Sequence, residues 1–316
     1  MKTITKIFVG IDVSKNFLDI AFYPTKKHFR VSNDFSGISG IVDRLQSHEI
    51  VRIACESSGG YERAMIKTLR VAGYLVELVD PKIIRYFILS KKVKAKTDKI
   101  DAQMIAFYSS CNEPAYTQHI NNEQAEELRD LVRIRNNFVE DVAREKKRIK
   151  QASCQKTKAF IGNHINFLKQ EIERIDKEIE AFIASKTEWK EKTKILRSIP
   201  GIGFVSATAL IAEIPELGHI ENKEAAALLG VAPRIKQSGT YEGIATIAGG
   251  RFMIRKIFYM AALSASHAKG KFCDYYRHLK TKQKKGKVCL VALMNKMISI
   301  ANTLIKKNEL WDPKFI

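Results

Sequence analysis

The chain has 316 residues, 45% of them hydrophobic, and 54 Lys plus Arg against 34 Asp plus Glu, a formal charge of +20. That length predicts two domains with a connector, and the apolar content excludes a disordered basic tail. So large a surplus on a folded chain points to a polyanionic partner, most often nucleic acid, although a generally lysine-rich protein has the same composition.

The surplus is uneven. Residues 1–110 carry 18 basic and 11 acidic groups, residues 111–194 carry 17 and 15, and residues 195–316 carry 19 and 8. The two ends are therefore the expected polyanion contacts, and the middle is a different kind of segment. Cys55, Cys111, Cys154, Cys273 and Cys289 form no C-x-x-C pair, which excludes a zinc ribbon and fits reduced thiols in a cytosol. Met1 to Lys6 leads straight into a strand-like run, too short for a signal peptide, and no apolar run reaches about 18 residues. A cytoplasmic protein on the bacterial nucleoid, with no membrane partner, is expected.

In chain order, Ile7–Ile11 ending in Asp12 reads as a buried strand, Phe17–Tyr23 as a second and His28–Val31 as a third. Gly37–Gln46 has helical spacing, Val51–Ala54 is a strand ending near Glu56, and Glu62–Val71 is a helix. Tyr74–Val79 is a strand closed by Asp80-Pro81, and Thr97 caps a helix through Ala102, Ile105 and Ala106. The order β-β-β-α-β-α-β-α is that of an α/β RNase H-like fold. Leu128, Leu131, Phe138, Val142 and Ile149 then fall on one heptad seam, interrupted by Arg135 and Glu145. Leu168, Ile172, Ile175, Ile179 and Phe182 repeat at 4-3-4-3 spacing, with the helix break expected at Gly162-Asn163. An antiparallel hairpin, an intersubunit coiled coil and a plain bundle all satisfy this pattern. Beyond it, helices are expected at Lys194–Ile199, Val205–Ile214, Lys223–Leu229, Met253–Ala265 and Val288–Lys306.

Asp12 and Glu56 each end a strand, and Asp98 and Asp101, three apart, share one helical face. If the strands are neighbours and the helix packs across their ends, four carboxylates converge, and they cannot all stay ionised without cations. Paired Mg²⁺ (or Mn²⁺) ions roughly 4 Å apart are the usual answer, and they drive phosphodiester chemistry. Taken singly, Asp98 reads equally as a helix cap, Asp101 as a first-turn acid and Glu56 as a loop residue before Ser57-Ser58-Gly59-Gly60.

Phe8-Val9-Gly10-Ile11-Asp12-Val13-Ser14-Lys15 resembles the opening of the IS110 family of insertion-sequence transposases. Glu56-Ser57-Ser58-Gly59-Gly60-Tyr61 and Lys96-Thr97-Asp98-Lys99-Ile100-Asp101-Ala102 are similar to the other parts of its D-E-D-D motif. The resemblance implies a RuvC-like nuclease domain with divalent metal at Asp12, Glu56, Asp98 and Asp101. Lys91, Lys92, Lys94, Lys96 and Lys99 form a basic strip beside the second acidic pair, either a nucleic-acid contact or a solvated face.

In the C-terminal third, Ile199-Pro200-Gly201-Ile202-Gly203 is patterned like a DNA-binding helix-hairpin-helix. Gly201 and Gly203 would let backbone approach phosphate, and a tight turn between packed helices is the other reading. Ser238-Gly239 by itself reads as a surface turn, with no neighbouring His or Asp to activate the hydroxyl. The run from Gly230 to Lys287 is similar to the family's C-terminal transposase domain, whose serine before glycine is the proposed nucleophile. Carried onto this chain, that residue is Ser238, and the resemblance implies a covalent phosphoserine link to DNA that strand exchange reverses. Arg234, Arg251 and Arg255 would then lie near phosphate, with Gly249 and Gly250. Many members have Gly-Asn where this chain has Gly250-Arg251, so no family role is carried onto residue 251.

The resemblance runs from about Ile7 to Trp311 and is weakest between residues 111 and 190. It implies a nuclease domain at residues 1–112, a coiled-coil oligomerisation connector at 113–192 and a mainly α-helical transposase domain at 193–316. Its implied partners are double-stranded DNA of element and target, a noncoding bridge RNA, and further copies of the chain, as a dimer or a synaptic tetramer. A Piv-type DNA invertase of the same family, and a metal-dependent Holliday-junction endonuclease, are the alternatives.

Overall fold

The computed structural model describes residues 6–93, 97–112, 123–234, 237–238, 241–242 and 245–315. The chain divides into two compact units, Met1–Asn121 and Asn122–Ile316.

The first unit is mixed α/β. Strands β1 (Ile7–Val13), β2 (Phe17–Tyr23), β3 (His28–Ser32), β4 (Ile50–Glu56) and β5 (Val76–Val79) form one sheet in the order β3-β2-β1-β4-β5. β1 runs antiparallel to β2 and parallel to β4, and β5 is parallel to β4. Both faces are covered, as the alternation of strand residues requires. Val9, Ile11, Ile53 and Cys55 share a core with Ile38, Ile41 and Leu45 of α1 (Phe35–Leu45) and Met65 and Leu69 of α2 (Arg63–Val71). Ala54 and Val79 point the other way, to Ile84 of α3 (Pro81–Ser90) and Ile105 and Tyr108 of α4 (Asp98–Cys111). Helix α3 corrects the predicted order, which ran from β5 directly to the last helix. Its signal is the Asp80-Pro81 pair: Asp80 caps it by accepting from the Lys82 N–H at 2.8 Å, and proline fills the first turn, where its missing N–H costs nothing.

The second unit opens with an antiparallel hairpin of α5 (Glu123–Gln151) and α6 (Gln155–Ala184). The chain reverses at Ala152–Cys154, not at the predicted Gly162-Asn163, which lies inside α6. Ile161, Ile165 and Leu168 carry the apolar spacing through Gly162, and one glycine costs a helix only about 1 kcal/mol. The base of the hairpin (Leu128, Val132, Ile179, Ile183) joins the core built by α7 (Thr187–Ser198), α8 (Phe204–Glu213), α9 (Asn222–Leu229), α10 (Phe252–His267) and α12 (Gly286–Lys307). Helix α11 (Lys271–Thr281) was not among the predicted helices; its apolar positions Phe272, Cys273 and Leu279 are too few for a clear stripe.

Between α9 and α10 the chain forms two nested antiparallel ladders. β6 (Pro233–Arg234) pairs with β9 (Thr246–Ile247), and β7 (Gln237–Ser238) pairs with β8 (Tyr241–Glu242). Helix α12 is the only described helix long and apolar enough to cross a membrane, and its apolar positions, among them Leu293, Met297 and Ile298, are buried in the core.

Candidate active site

The acidic cluster is assembled by one absent side chain. Gly10 and Asp12 lie on the face of β1 that turns toward α4, and a Cβ on Gly10 would stand 2.2 Å from both the Ala102 carbonyl oxygen and the Ala106 nitrogen. Glycine thus lets α4 lie directly on β1. Asp98 sits one helical turn before Ala102, and Asp101 one turn before the buried Ile105, so seating the helix brings both acids toward the end of the sheet. The Thr97 hydroxyl starts the helix there by accepting from the Ile100 N–H at 3.3 Å. Glu56 arrives from β4, where Cys55 pairs with Ile11 and places the next two residues, Glu56 and Asp12, side by side. Ala54, two residues before Glu56, packs in the core beneath α4, so Glu56 continues that face.

The charges register one another. Burial pushes the half-buried Asp12 carboxyl up to about 6, and the negative charges of Asp101, Asp98, Glu56 and Asp19, in that order, push the same way. The other three predicted acids thus stand near enough to Asp12 for their charges to act on it.

Asp19, Arg30 and His28 are site residues that sequence reasoning missed. In the sheet Asp12 pairs with Asp19 and Asp19 with Arg30, one row across three strands. Asp19 is buried and takes His28 Nε2 at 2.8 Å and Arg30 Nε at 3.0 Å. Arg30 Nη2 also donates to Asp98 Oδ2 at 2.6 Å. The available signal was the charge of Asp19 inside the otherwise apolar Phe17–Tyr23 strand, since a buried charge needs a partner. Loops around the cluster are tied down by side chains. Asn33 Nδ2 donates to the Ser14 and Tyr61 carbonyls at 2.9 and 3.1 Å. The Glu62 carboxylate accepts from the Ser58 hydroxyl and from the Ser58 and Gly60 N–H groups; burial works to raise its pKa, but these bonds hold it below the usual range.

The donor set suits a hard divalent cation, because every predicted ligand is a carboxylate and their mutual repulsion is relieved by added positive charge. Among the described residues no three acid, His or Cys side chains are already set at ligand spacing, and Asp98 is turned to Arg30. Of the basic strip, Lys91 and Lys92 are exposed, and Lys91 Nζ rests over the Phe87 and Phe107 rings at 5.2 and 5.1 Å. Lys94 and Lys96 lie outside the described residues.

In the second unit the predicted residues fall into two groups. Gly201 stands at φ +89°, and a Cβ there would meet the Ala261 carbonyl oxygen at 2.5 Å and the Ala265 nitrogen at 2.9 Å, so its side-chain space is taken by α10. Gly203 caps α8 and is exposed, with open space where a Cβ would be. Arg251 is directed inward: it donates to both oxygens of the buried Glu216 at 2.9 and 2.6 Å and to the Glu213 carbonyl. Arg255 Nη1 donates to the Gly230 and Gly249 carbonyls at 3.1 and 2.7 Å, pinning the end of α9 to the segment before α10. Gly250 belongs to the same close approach, because a Cβ there would stand 2.3 Å from Gly230 Cα. Arg234 is exposed on β6. Ser238 ends β7 opposite Tyr241, at the tip of the nested ladders; its side chain, and Gly239, lie outside the described residues.

Comparison with known proteins reaches both units. Residues 9–152 match a transposase family of the DEDD type, and residues 193–277 match the family described as transposase IS116/IS110/IS902. The pilin gene-inverting proteins of Moraxella bovis and Moraxella lacunata are each 24% identical over 322 aligned residues, covering 98% of this chain and 99% of theirs. The transposase of insertion sequence IS1533 from Leptospira borgpetersenii is 23% identical, covering 69% of this chain and 72% of its own. The chain belongs to the IS110-type transposases and Piv-like invertases, enzymes of DNA recombination.

Proposed function

We propose that this protein cuts and rejoins DNA with an RNase H-like metal centre at Asp12, Glu56, Asp98 and Asp101 and with Ser238 as nucleophile. The observation that carries the reading is that Asp12 at one strand end is raised by the charges of three other acids, Glu56 from the adjacent parallel strand and Asp98 and Asp101 from one helix. The strand order β3-β2-β1-β4-β5, antiparallel then parallel, is the one expected of an RNase H-like sheet. Those four acids would hold a divalent ion, whose positive charge would favour an attacking oxygen and offset the negative charge developing on the phosphate.

The step assigned to Ser238 is attack of its Oγ on a DNA phosphorus. The new Oγ–P bond forms as one bridging P–O bond breaks, the serine proton passes to solvent and the departing sugar oxygen takes a proton. The reverse reaction, with a hydroxyl from another strand, seals the exchange. Arg251 and Arg255 act here as positioning residues that fix the base of the arm bearing Ser238, and exposed Arg234 contacts phosphate. A structured noncoding RNA as guide, a DNA substrate and assembly as dimer or tetramer belong to the same proposal.

Inversion is the second reading. It is favoured by the end-to-end coverage of the two pilin gene-inverting proteins against the partial coverage of the IS1533 transposase. One experiment separates the serine mechanism from a nuclease that uses carboxylates alone. Ser238→Ala should abolish the covalent protein–DNA adduct, strand cleavage and strand exchange in Mg²⁺, and Asp12→Asn should abolish all three as well. Undiminished Mg²⁺-dependent cleavage by Ser238→Ala would sink the phosphoserine step and leave the endonuclease.

A further inference from the structure

Arg30 holds two acids at once, and holds them unequally. Its Nε donates at 3.0 Å to Asp19, which is 3% exposed and also bound by His28, while its Nη2 reaches Asp98 at 2.6 Å. The side chain of Asp98 is 63% exposed. The Asp19 contact is anchored in the sheet, whereas the Asp98 contact faces solvent, where an ion pair is weak and exchangeable. The guanidinium is thus a cation tethered on one side and clasping, on the other, an acid of the catalytic cluster.

We infer that Arg30 is a built-in competitor for the divalent ion: it occupies Asp98 in the metal-free protein and must release it before the metal site can close. The inference rests on reading Asp12, Glu56, Asp98 and Asp101 as that site. One observation supports it. The row Asp12–Asp19–Arg30 across β1, β2 and β3 keeps the tether within one sheet, so releasing Asp98 requires a side-chain movement and no change of fold. Guanidinium keeps its charge at every accessible pH, so the contest depends on metal concentration. Apparent metal affinity is then lowered by the fraction of molecules in which Asp98 is occupied.

The test is Mn²⁺ binding to the full-length protein, followed by electron paramagnetic resonance of the free ion, without DNA. Arg30→Gln should bind Mn²⁺ roughly two- to fivefold more tightly than wild type. Arg30→Lys should tighten it partway, because an ammonium reaches either acid but does not bridge both. Thermal unfolding followed by circular dichroism identifies any variant that fails to fold, and the lysine variant serves if the glutamine one does not. Equal affinity in wild type and both variants overturns the inference and leaves the metal site standing. Tightening in Arg30→Gln with none in Arg30→Lys assigns the effect to net charge and also overturns it. Absence of Mn²⁺ binding in all of them removes the metal reading, and the competitor role falls with it.

Discussion

At the scale of single residues, Asp12 carries the electrostatic cost of the cluster. Its pKa rises from the usual 3.8 to about 6 through burial and through the neighbouring carboxylates. An acid raised in this way keeps its proton in the folded chain over an interval in which the unfolded chain has lost it. The metal-free protein therefore loses stability through this group as pH rises from about 4 to about 6, and the loss is complete above that. In EDTA, thermal midpoints of wild type should fall relative to Asp12→Asn across that interval and run parallel to it at higher pH. Parallel profiles throughout would mean that neither burial nor the neighbouring charges raise Asp12. The four acids were legible because each sits at a punctuated place, a strand end or a capped helix start. Asp19 and Arg30 were not, because pairing across the sheet, which no local spacing reports, joins them.

At the scale of elements, the close contact of β1 with α4 sets the site. A side chain at residue 10 would collide with backbone, at 2.2 Å from the Ala102 oxygen and the Ala106 nitrogen, and main chain cannot swing aside as a flexible side chain can. Gly10→Ala should therefore destabilise the protein by about 1–3 kcal/mol, the range of overpacked cores, as read by urea unfolding. It should also weaken Mn²⁺ binding, because α4 carries Asp98 and Asp101 away from Asp12 when it lifts. Unchanged stability would show that the helix is not seated on this glycine. The sequence shows Gly10 only as part of an apolar run; its reason lies in a helix some ninety residues later. The hairpin teaches the complementary lesson. Its two interrupted heptad positions, Arg135 and Glu145, do not break the seam, because Arg135 pairs across it with Asp176, with Nη2 at 3.1 Å, and Glu145 pairs with Arg148 at 2.7 Å. Charge in a seam was readable as an interruption, and the partner that accommodates it was not.

At the scale of the whole molecule, the +20 charge is a statement about association. Much of the C-terminal excess is gathered where α11 passes to α12: Lys280, Lys282, Lys284, Lys285 and Lys287 are exposed, and none is ion-paired among the described residues. Lysines without carboxylate partners keep their charge available for phosphate, and each phosphate they neutralise releases condensed counterions. Binding to duplex DNA should accordingly weaken on the order of 10³-fold or more between 50 and 200 mM salt if six or more phosphates are neutralised. Replacing Lys282, Lys284, Lys285 and Lys287 by Gln should weaken binding alike on every sequence and lower the slope of log affinity against log salt by up to about 0.9 for each phosphate that is no longer neutralised. Fluorescence anisotropy on a labelled duplex, titrated at several salt concentrations, reads both quantities. A slope unchanged in the quadruple variant would move the phosphate-binding surface elsewhere, to exposed cations such as Arg234 and the lysines beside α4. A slope near zero in wild type would leave the surplus charge with no part in binding DNA.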